Sequence, residues 1–183
     1  MRVLHTQRCA VLHLRDSNSG FTALRGLLSA RNSYVGIANG GVCVSSNIRK
    51  GSCLCGSVQV TLSAEPVAVG VCHCRDCQKQ TGTSFSLVAL VPLSGVEVTG
   101  ELARVDTRGD SGLAVERRFC PKCGSPIRTD SEGTRQQGIA IIKAGILDDV
   151  QALQPSLQIY CESEHPWLRD TNAVIRFPRM PPG

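Results

Sequence analysis

Aromatic side chains are scarce in this chain, with one Trp, two Tyr and four Phe among 183 residues. That scarcity excludes a core built on stacked rings and argues against a surface that holds unstacked bases on aromatic platforms. The apolar interior must therefore come from Val, Leu, Ile and Ala. Long hydrophobic runs are missing as well. Residues 10–14 are too short a stretch, and too interrupted by His13, to serve as a secretory core. No stretch approaches the roughly 20 apolar residues of a membrane-spanning helix, so no membrane partner is expected. Acidic residues are nearly absent from the first 50 positions, where Arg2, Arg8, Arg15, Arg25, Arg31, Arg49 and Lys50 face only Asp16, a net +6. The remaining chain holds thirteen basic and fourteen acidic residues, a net −1, so the overall +5 is an N-terminal property. A nucleic-acid-binding domain would carry its basic surface on the domain itself, and no nucleic-acid partner is expected here.

The basic stretch asks for its own reading. Residues 1–47 are rich in Arg, Ser, Leu and Asn, and Phe21, Leu24 and Leu28 would share one face of a helix with Arg25 and Arg31 beside it. This is the composition either of an unstructured extension or of a mitochondrial presequence. The chain is expected in the cytoplasm, or in mitochondria if the extension is a presequence. Residues 48–183 form a second region, of a size suited to one globular domain.

What the chain does have is cysteine. Seven of its ten cysteines fall into three tight groups: Cys53 and Cys55; Cys72, Cys74 and Cys77; Cys120 and Cys123. Two thiolates one or two residues apart can bite one tetrahedral zinc through bonds of about 2.3 Å, and such close neighbours rarely form a disulfide with each other. Four thiolates close one zinc; three leave a second zinc one ligand short, which is what distinguishes a catalytic from a structural site. Spacing alone leaves open which groups pair. It also leaves open an eighth ligand, for which His73 and Cys161 are the candidates. His73 sits between two ligands, where its side chain would point away from their metal, and a cysteine such as Cys161 commonly serves as a small buried apolar residue. Cys9 and Cys43 have no partner spacing and receive no role.

From residue 51 onward the pattern is that of a β protein. Residues 57–62 alternate apolar and polar, residues 85–91 read as a more fully buried strand, and strands are expected over 96–99, 102–106, 113–119, 138–144 and 157–161. Glycine-bearing or polar turns separate them at 94–95, 99–100, 108–110 and 131–133. Helix is expected over 75–80, stopped by Gly82, with a weaker candidate over 148–153 before Pro155. The expected fold class is mainly β, with antiparallel sheets pinned by two zinc sites.

Three blocks of residues now carry a resemblance. Gly51-Ser52-Cys53-Leu54-Cys55-Gly56-Ser57-Val58, Cys72-His73-Cys74-Arg75-Asp76-Cys77-Gln78-Lys79-Gln80-Thr81-Gly82 and Phe119-Cys120-Pro121-Lys122-Cys123-Gly124-Ser125-Pro126 resemble the signature of the glutathione-dependent formaldehyde-activating enzyme family, which includes centromere protein V. Lys143-Ala144-Gly145-Ile146-Leu147-Asp148-Asp149 and Pro166-Trp167 resemble that family's later blocks. The resemblance covers about residues 48–170, and the preceding extension has no counterpart in it.

The resemblance implies an Mss4-like β fold with two Zn²⁺ ions. It assigns Cys53, Cys55, Cys120 and Cys123 to a structural zinc and Cys72, Cys74 and Cys77 to a catalytic one. It further implies lyase chemistry with glutathione as co-substrate, in which a zinc-stabilised thiolate adds to formaldehyde, or the reverse cleavage of a carbon–sulfur bond. A zinc held by three thiolates is a poorer Lewis acid than one held by three histidines, which argues against water activation as its main task. Arg75, Lys79, Arg117 and Arg118 are candidates for the glutathione carboxylates, each weighed against a plain solvated charge. His73 is a candidate acid, or a group orienting a thiolate, weighed against simple packing. Gln78, Thr81 and Gly82 are expected to shape the helix turn, and Trp167 to be a core or lid residue. The expected partner is a small thiol or thiol adduct. The alternative is a noncatalytic zinc module that binds a protein partner, since fold does not dictate function. The two readings part at the fourth position on the Cys72/Cys74/Cys77 zinc, which an enzyme leaves exchangeable and a binding module can close.

Overall fold

The computed structural model describes residues 35–38, 41–44, 48–168 and 175–181, and the chain divides into two compact units, residues 1–47 and 48–183. Within the first unit, β1 (Val35–Ala38) and β2 (Gly41–Val44) pair as an antiparallel hairpin. The helical face expected at Phe21, Leu24 and Leu28 lies outside the described residues.

A three-stranded antiparallel sheet is formed by β3 (Arg49–Ser52), β4 (Gln59–Leu62) and β7 (Val96–Thr99), in the order β3-β4-β7. The alternation read from the sequence explains β4: Val60 and Leu62 point inward and are fully buried, while Gln59 stays exposed. The larger sheet contains β5 (Ala68–Cys72), β6 (Ser86–Pro92), β8 (Ala103–Arg108), β9 (Ala114–Phe119), β10 (Pro126–Ser131), β11 (Ile139–Lys143), β12 (Leu157–Ile159) and β13 (Ile175–Arg176). Its strand order is β13-β12-β5-β6-β11-β10-β9-β8. Between the sheets lies an aliphatic core that includes Val58, Val60, Leu62, Ala89, Val91, Ile127, Ala140 and Ile142. Each fully buried Val, Leu or Ile there contributes roughly 1.5–3 kcal/mol. The interior is thus assembled without the aromatics that the composition lacks.

The large sheet departs from the antiparallel expectation. β12 runs parallel to both β5 and β13, so this sheet is mixed. The reason is connectivity: strands about 85 residues apart in the chain return in the same direction to the same edge, which local alternation does not encode. Four strands of this unit, β3, β5, β10 and the two-residue β13, were also not expected. β3 is short, β10 opens with Pro126 and buries the charged Asp130, and β5 is almost wholly buried, so none shows a two-residue period. The turn expected at 131–133 instead begins a five-residue helix, α2 (Glu132–Gln136), whose N-cap Ser131 shares reciprocal hydrogen bonds with Thr134. The weaker helix candidate at 148–153 resolves to a short 3₁₀ turn, Val150–Ala152.

The remaining helix, α1 (Arg75–Thr81), was expected and has explicit ends. Cys74 is its N-cap, and its Sγ accepts a hydrogen bond from the Cys77 N–H at 3.4 Å. Gly82 closes it in the left-handed conformation (φ 65°), where its N–H reaches the Gln78 carbonyl. Gly51 is needed for a different reason: a side chain there would run into the Ile146 and Leu147 backbone, which bridges to this strand. Asp148 N–H donates to the Lys50 carbonyl at 2.9 Å beside it. The 143–149 block is therefore fastened against the strand that leads into Cys53.

Candidate functional site

The first cysteine group is assembled by two loops of similar design on different sheets. Cys53 and Cys55 follow β3 of the small sheet; Cys120 and Cys123 follow β9 of the large one. In the first loop Gly56 N–H bonds the Cys53 carbonyl and Val58 N–H donates to Cys53 Sγ at 3.2 Å. In the second, Gly124 N–H bonds the Cys120 carbonyl. Each loop then places a serine hydroxyl beside its second sulfur: Ser57 Oγ is 3.3 Å from Cys55 Sγ, and Ser125 Oγ is 3.2 Å from Cys123 Sγ. Leu54 N–H donates to Ser125 Oγ at 3.1 Å and joins the two loops.

All four sulfurs lie within 4.8 Å of one another, with Cys53–Cys55 at 3.5 Å and Cys55–Cys120 at 3.8 Å. A tetrahedron built on zinc–sulfur bonds of roughly 2.3 Å has edges of about 3.8 Å, so this donor set fits a tetrahedral metal ion. The Ser125 hydroxyl holds the Cys123 thiol down to about 5, while burial pushes Cys120 up to about 11. The group thus offers unequal thiols that an incoming cation would equalise by deprotonating all of them.

The second group comes from one continuous segment. Cys72 ends β5, Cys74 caps α1 and Cys77 lies in its first turn, and their sulfurs also sit within 4.8 Å of one another. Among the described residues, no fourth Cys, His, Asp or Glu joins them. Cys161 stands apart, beginning the turn Cys161–Ser163 with its N–H on the Phe177 carbonyl. Within the group, hydrogen bonds from Cys72 and then Cys77 pull the Cys74 thiol down to about 2, and the same sharing pushes Cys72 up.

His73 is only 1% exposed and turns away from this group, as alternation along an extended chain requires. Its Nε2 lies 3.0 Å from Gln158 Oε1 and 3.9 Å from Glu164 Oε1, and Arg176 reaches both of those residues. The His73 N–H bonds the Ile159 carbonyl, and its carbonyl accepts from the buried Gln78 side chain at 2.8 Å. Main chain and ring are therefore both held, which sets the backbone between Cys72 and Cys74. Gln78 also donates to the Ser163 carbonyl at 3.1 Å, and Thr81 Oγ1 donates to the Cys77 carbonyl at 2.8 Å.

The four candidate cations go to different places. Arg117 approaches the three-cysteine group: it pairs with Asp76 at 3.1 Å, a residue between Cys74 and Cys77, and also reaches Thr107. Arg118, one residue on, faces the opposite side of β9 and pairs with Glu116 at 2.7 Å and with Asp130 at 3.1 Å. Arg75 and Lys79 are exposed on α1, with Arg75 donating to Gln78. Trp167 is 70% exposed and beside His165, so it is not a core residue.

Two residues to which the sequence reading gave no role stand near the three sulfurs. Lys143, at the end of β11, is 4% exposed and donates from Nζ to Ser86 Oγ at 3.1 Å; Ser86 is the cross-strand partner of Cys72. Burial pushes its pKa down, opposed by the charges of Cys77, Cys72 and Cys74. Its signal in the sequence was a charge ending the apolar run 139–142. Tyr160 takes a left-handed backbone (φ 58°) that costs a non-glycine residue of order 1 kcal/mol. Burial, then Asp110, Cys74 and Cys72, push its hydroxyl up to about 12. Nothing in the sequence marks that backbone.

Comparison with known proteins follows the same residues. Residues 48–163 match the family described as glutathione-dependent formaldehyde-activating enzyme. A protein of Phaeosphaeria nodorum is 35% identical over 72 residues, 39% of this chain and 37% of that protein; one of Talaromyces marneffei is 32% identical over 72 residues, 39% of this chain and 38% of its own length. Both carry, provisionally, the name glutathione-dependent formaldehyde-activating enzyme. The matched stretch therefore spans well under half of either relative. A crystal structure of a Rhodobacter sphaeroides protein superposes with a TM-score of 0.45 at 19% identity, covering 70% of this chain and 99% of that one.

Proposed function

The chain belongs to the glutathione-dependent formaldehyde-activating enzyme family, and from that premise we propose that it is a zinc-dependent carbon–sulfur lyase acting on glutathione and formaldehyde, or on a related glutathione adduct. In the forward direction the glutathione sulfur bonds to the formaldehyde carbon and the carbonyl π pair moves to oxygen. The proton lost from the thiol is balanced by one gained at that oxygen, giving S-hydroxymethylglutathione. The reverse reaction breaks the same carbon–sulfur bond.

The observation that carries this reading is the four-plus-three partition of the sulfurs, with no fourth ligating side chain at Cys72, Cys74 and Cys77 among the described residues. A zinc ion held by those three would supply an open position for an outside thiol and keep that thiol deprotonated yet nucleophilic near neutral pH. Cys53, Cys55, Cys120 and Cys123 would hold the structural ion that joins the two sheets.

The chain's own side chains then bind and orient. Arg117, kept beside α1 by Asp76, presents a guanidinium suited to a glutathione carboxylate, and Arg75 and Lys79 add exposed cations on the same helix. Arg118, engaged with Glu116 and Asp130, supports the sheet instead. His73 acts through the backbone that it anchors, positioning Cys72 and Cys74 without touching substrate.

Cobalt-substituted full-length chain, titrated with glutathione while the metal absorption bands are followed, tests this function. A saturable spectral change is expected. No change with two metals per chain verified would overturn the reading and favour a noncatalytic module that binds a protein partner.

A further inference from the structure

Lys143 is the one buried lysine among the described residues, and its surroundings are peculiar. It comes from β11, two strands away from the segment that carries the three cysteines; β6 lies between. Its Nζ reaches that intervening strand at Ser86 Oγ, and Ser86 stands directly opposite Cys72 in the β5–β6 ladder. Among the described residues no carboxylate lies within 4.0 Å of its Nζ, and the charges that weigh most on it are those of Cys77, Cys72, Arg117 and Cys74. A buried ammonium without a carboxylate partner is unfavourable unless another anion faces it. Here that anion is the cysteine cluster itself.

The charge count makes the arrangement directional. Three thiolates around a divalent ion sum to −1, and an outside thiolate takes the sum to −2, whereas water or imidazole leaves it unchanged. A cation held beside the cluster therefore favours the anionic ligand over the neutral ones. Arg117 is no substitute for it, because Asp76 shares that guanidinium at 3.1 Å whereas Nζ has no carboxylate within 4.0 Å among the described residues. We propose that Lys143 is the fixed counter-charge of the Cys72/Cys74/Cys77 cluster, a positioning residue that selects an anionic sulfur as the cluster's outside ligand. This rests on the proposed function for its choice of ligand but not for its claim about charge.

Two measurements on the full-length chain test the two parts separately. The first is removal of metal by a chelator from wild type, Lys143→Met and Lys143→Arg. Lys143→Met should release one of its two metals at least about 10-fold more readily, the low end for removing a charge that faces buried anions, while Lys143→Arg stays near wild type. The second is titration of the cobalt-loaded variants with glutathione and, separately, with imidazole. Lys143→Met should weaken glutathione binding about 10-fold and imidazole binding far less, with recovery in Lys143→Arg. Should Lys143→Met not fold, Ser86→Ala, which frees Nζ from its anchor, should shift the same glutathione-to-imidazole ratio about threefold. Equal losses for both ligands, or unchanged metal retention, would overturn the counter-charge. Failure of wild type itself to bind glutathione would instead sink the proposed function, and the chelator arm would still decide the role of Lys143.

Discussion

The two cysteine groups use the same side chain for opposite structural ends. Cys53, Cys55, Cys120 and Cys123 come from loops 65 residues apart on two different sheets, so closing that group ties distant parts of the fold together. Cys72, Cys74 and Cys77 come from six consecutive residues whose geometry is already set by the end of β5, the N-cap of α1 and the anchored His73. A metal at the first group would restrain a long loop and stabilise the folded state directly; at the second it would restrain almost nothing that the backbone does not already hold. Under the proposed function, what would separate a structural from a reactive group is where the ligands come from as much as how many there are.

The sharpest way to break this comparison is to remove one sulfur from each group. Cys120→Ser should lose one metal and destabilise the protein by more than about 5 kcal/mol, since binding energy there is folding energy, to be read by metal content and thermal denaturation. Cys74→Ala should lose the other metal and the response to glutathione, at a cost of about 1–2 kcal/mol for the N-cap. Equal unfolding of the two variants would erase the distinction.

Neighbouring arginines sharpen it further. Arg118→Ala leaves the buried Asp130 with Arg128 alone and should cost about 2 kcal/mol in a denaturant titration, with glutathione binding unaffected. Arg117→Ala should do the reverse, weakening glutathione binding several-fold while the denaturation midpoint barely moves. The smallest effect belongs to Gly82→Ala, which forces a side chain into the left-handed cap of α1. A loss of about 1 kcal/mol is expected, with a slightly faster release of the metal held by the three cysteines.

Legibility in the sequence followed the range of the interactions. The helix at α1 and its stop at Gly82 were readable because capping is decided within a turn. Strands β4, β6, β7 and β11 were readable because each sends alternating or bounded apolar residues toward the core, and β8, β9 and β12 were readable from short apolar-bearing stretches set between turns. β5 was hidden, since its residues lie almost wholly buried and its end belongs to a cysteine motif. β10 was hidden because the buried Asp130, paired with Arg128 on its own strand, looks like a surface residue until Arg118 arrives from the neighbouring strand β9.

By itself the sequence determined the seven sulfurs, their local spacing, the aliphatic core and the helix that presents Cys74 and Cys77, all consequences of neighbours along the chain. Tertiary structure alone decided that the first and third groups meet while the second stands apart, that Arg117 meets Asp76 while Arg118 meets Asp130, and that Lys143 lies beside the three-cysteine cluster. Each of these depends on strand pairings between residues far apart in the chain, and a strand's own pattern says which face it buries but not which partner it will find.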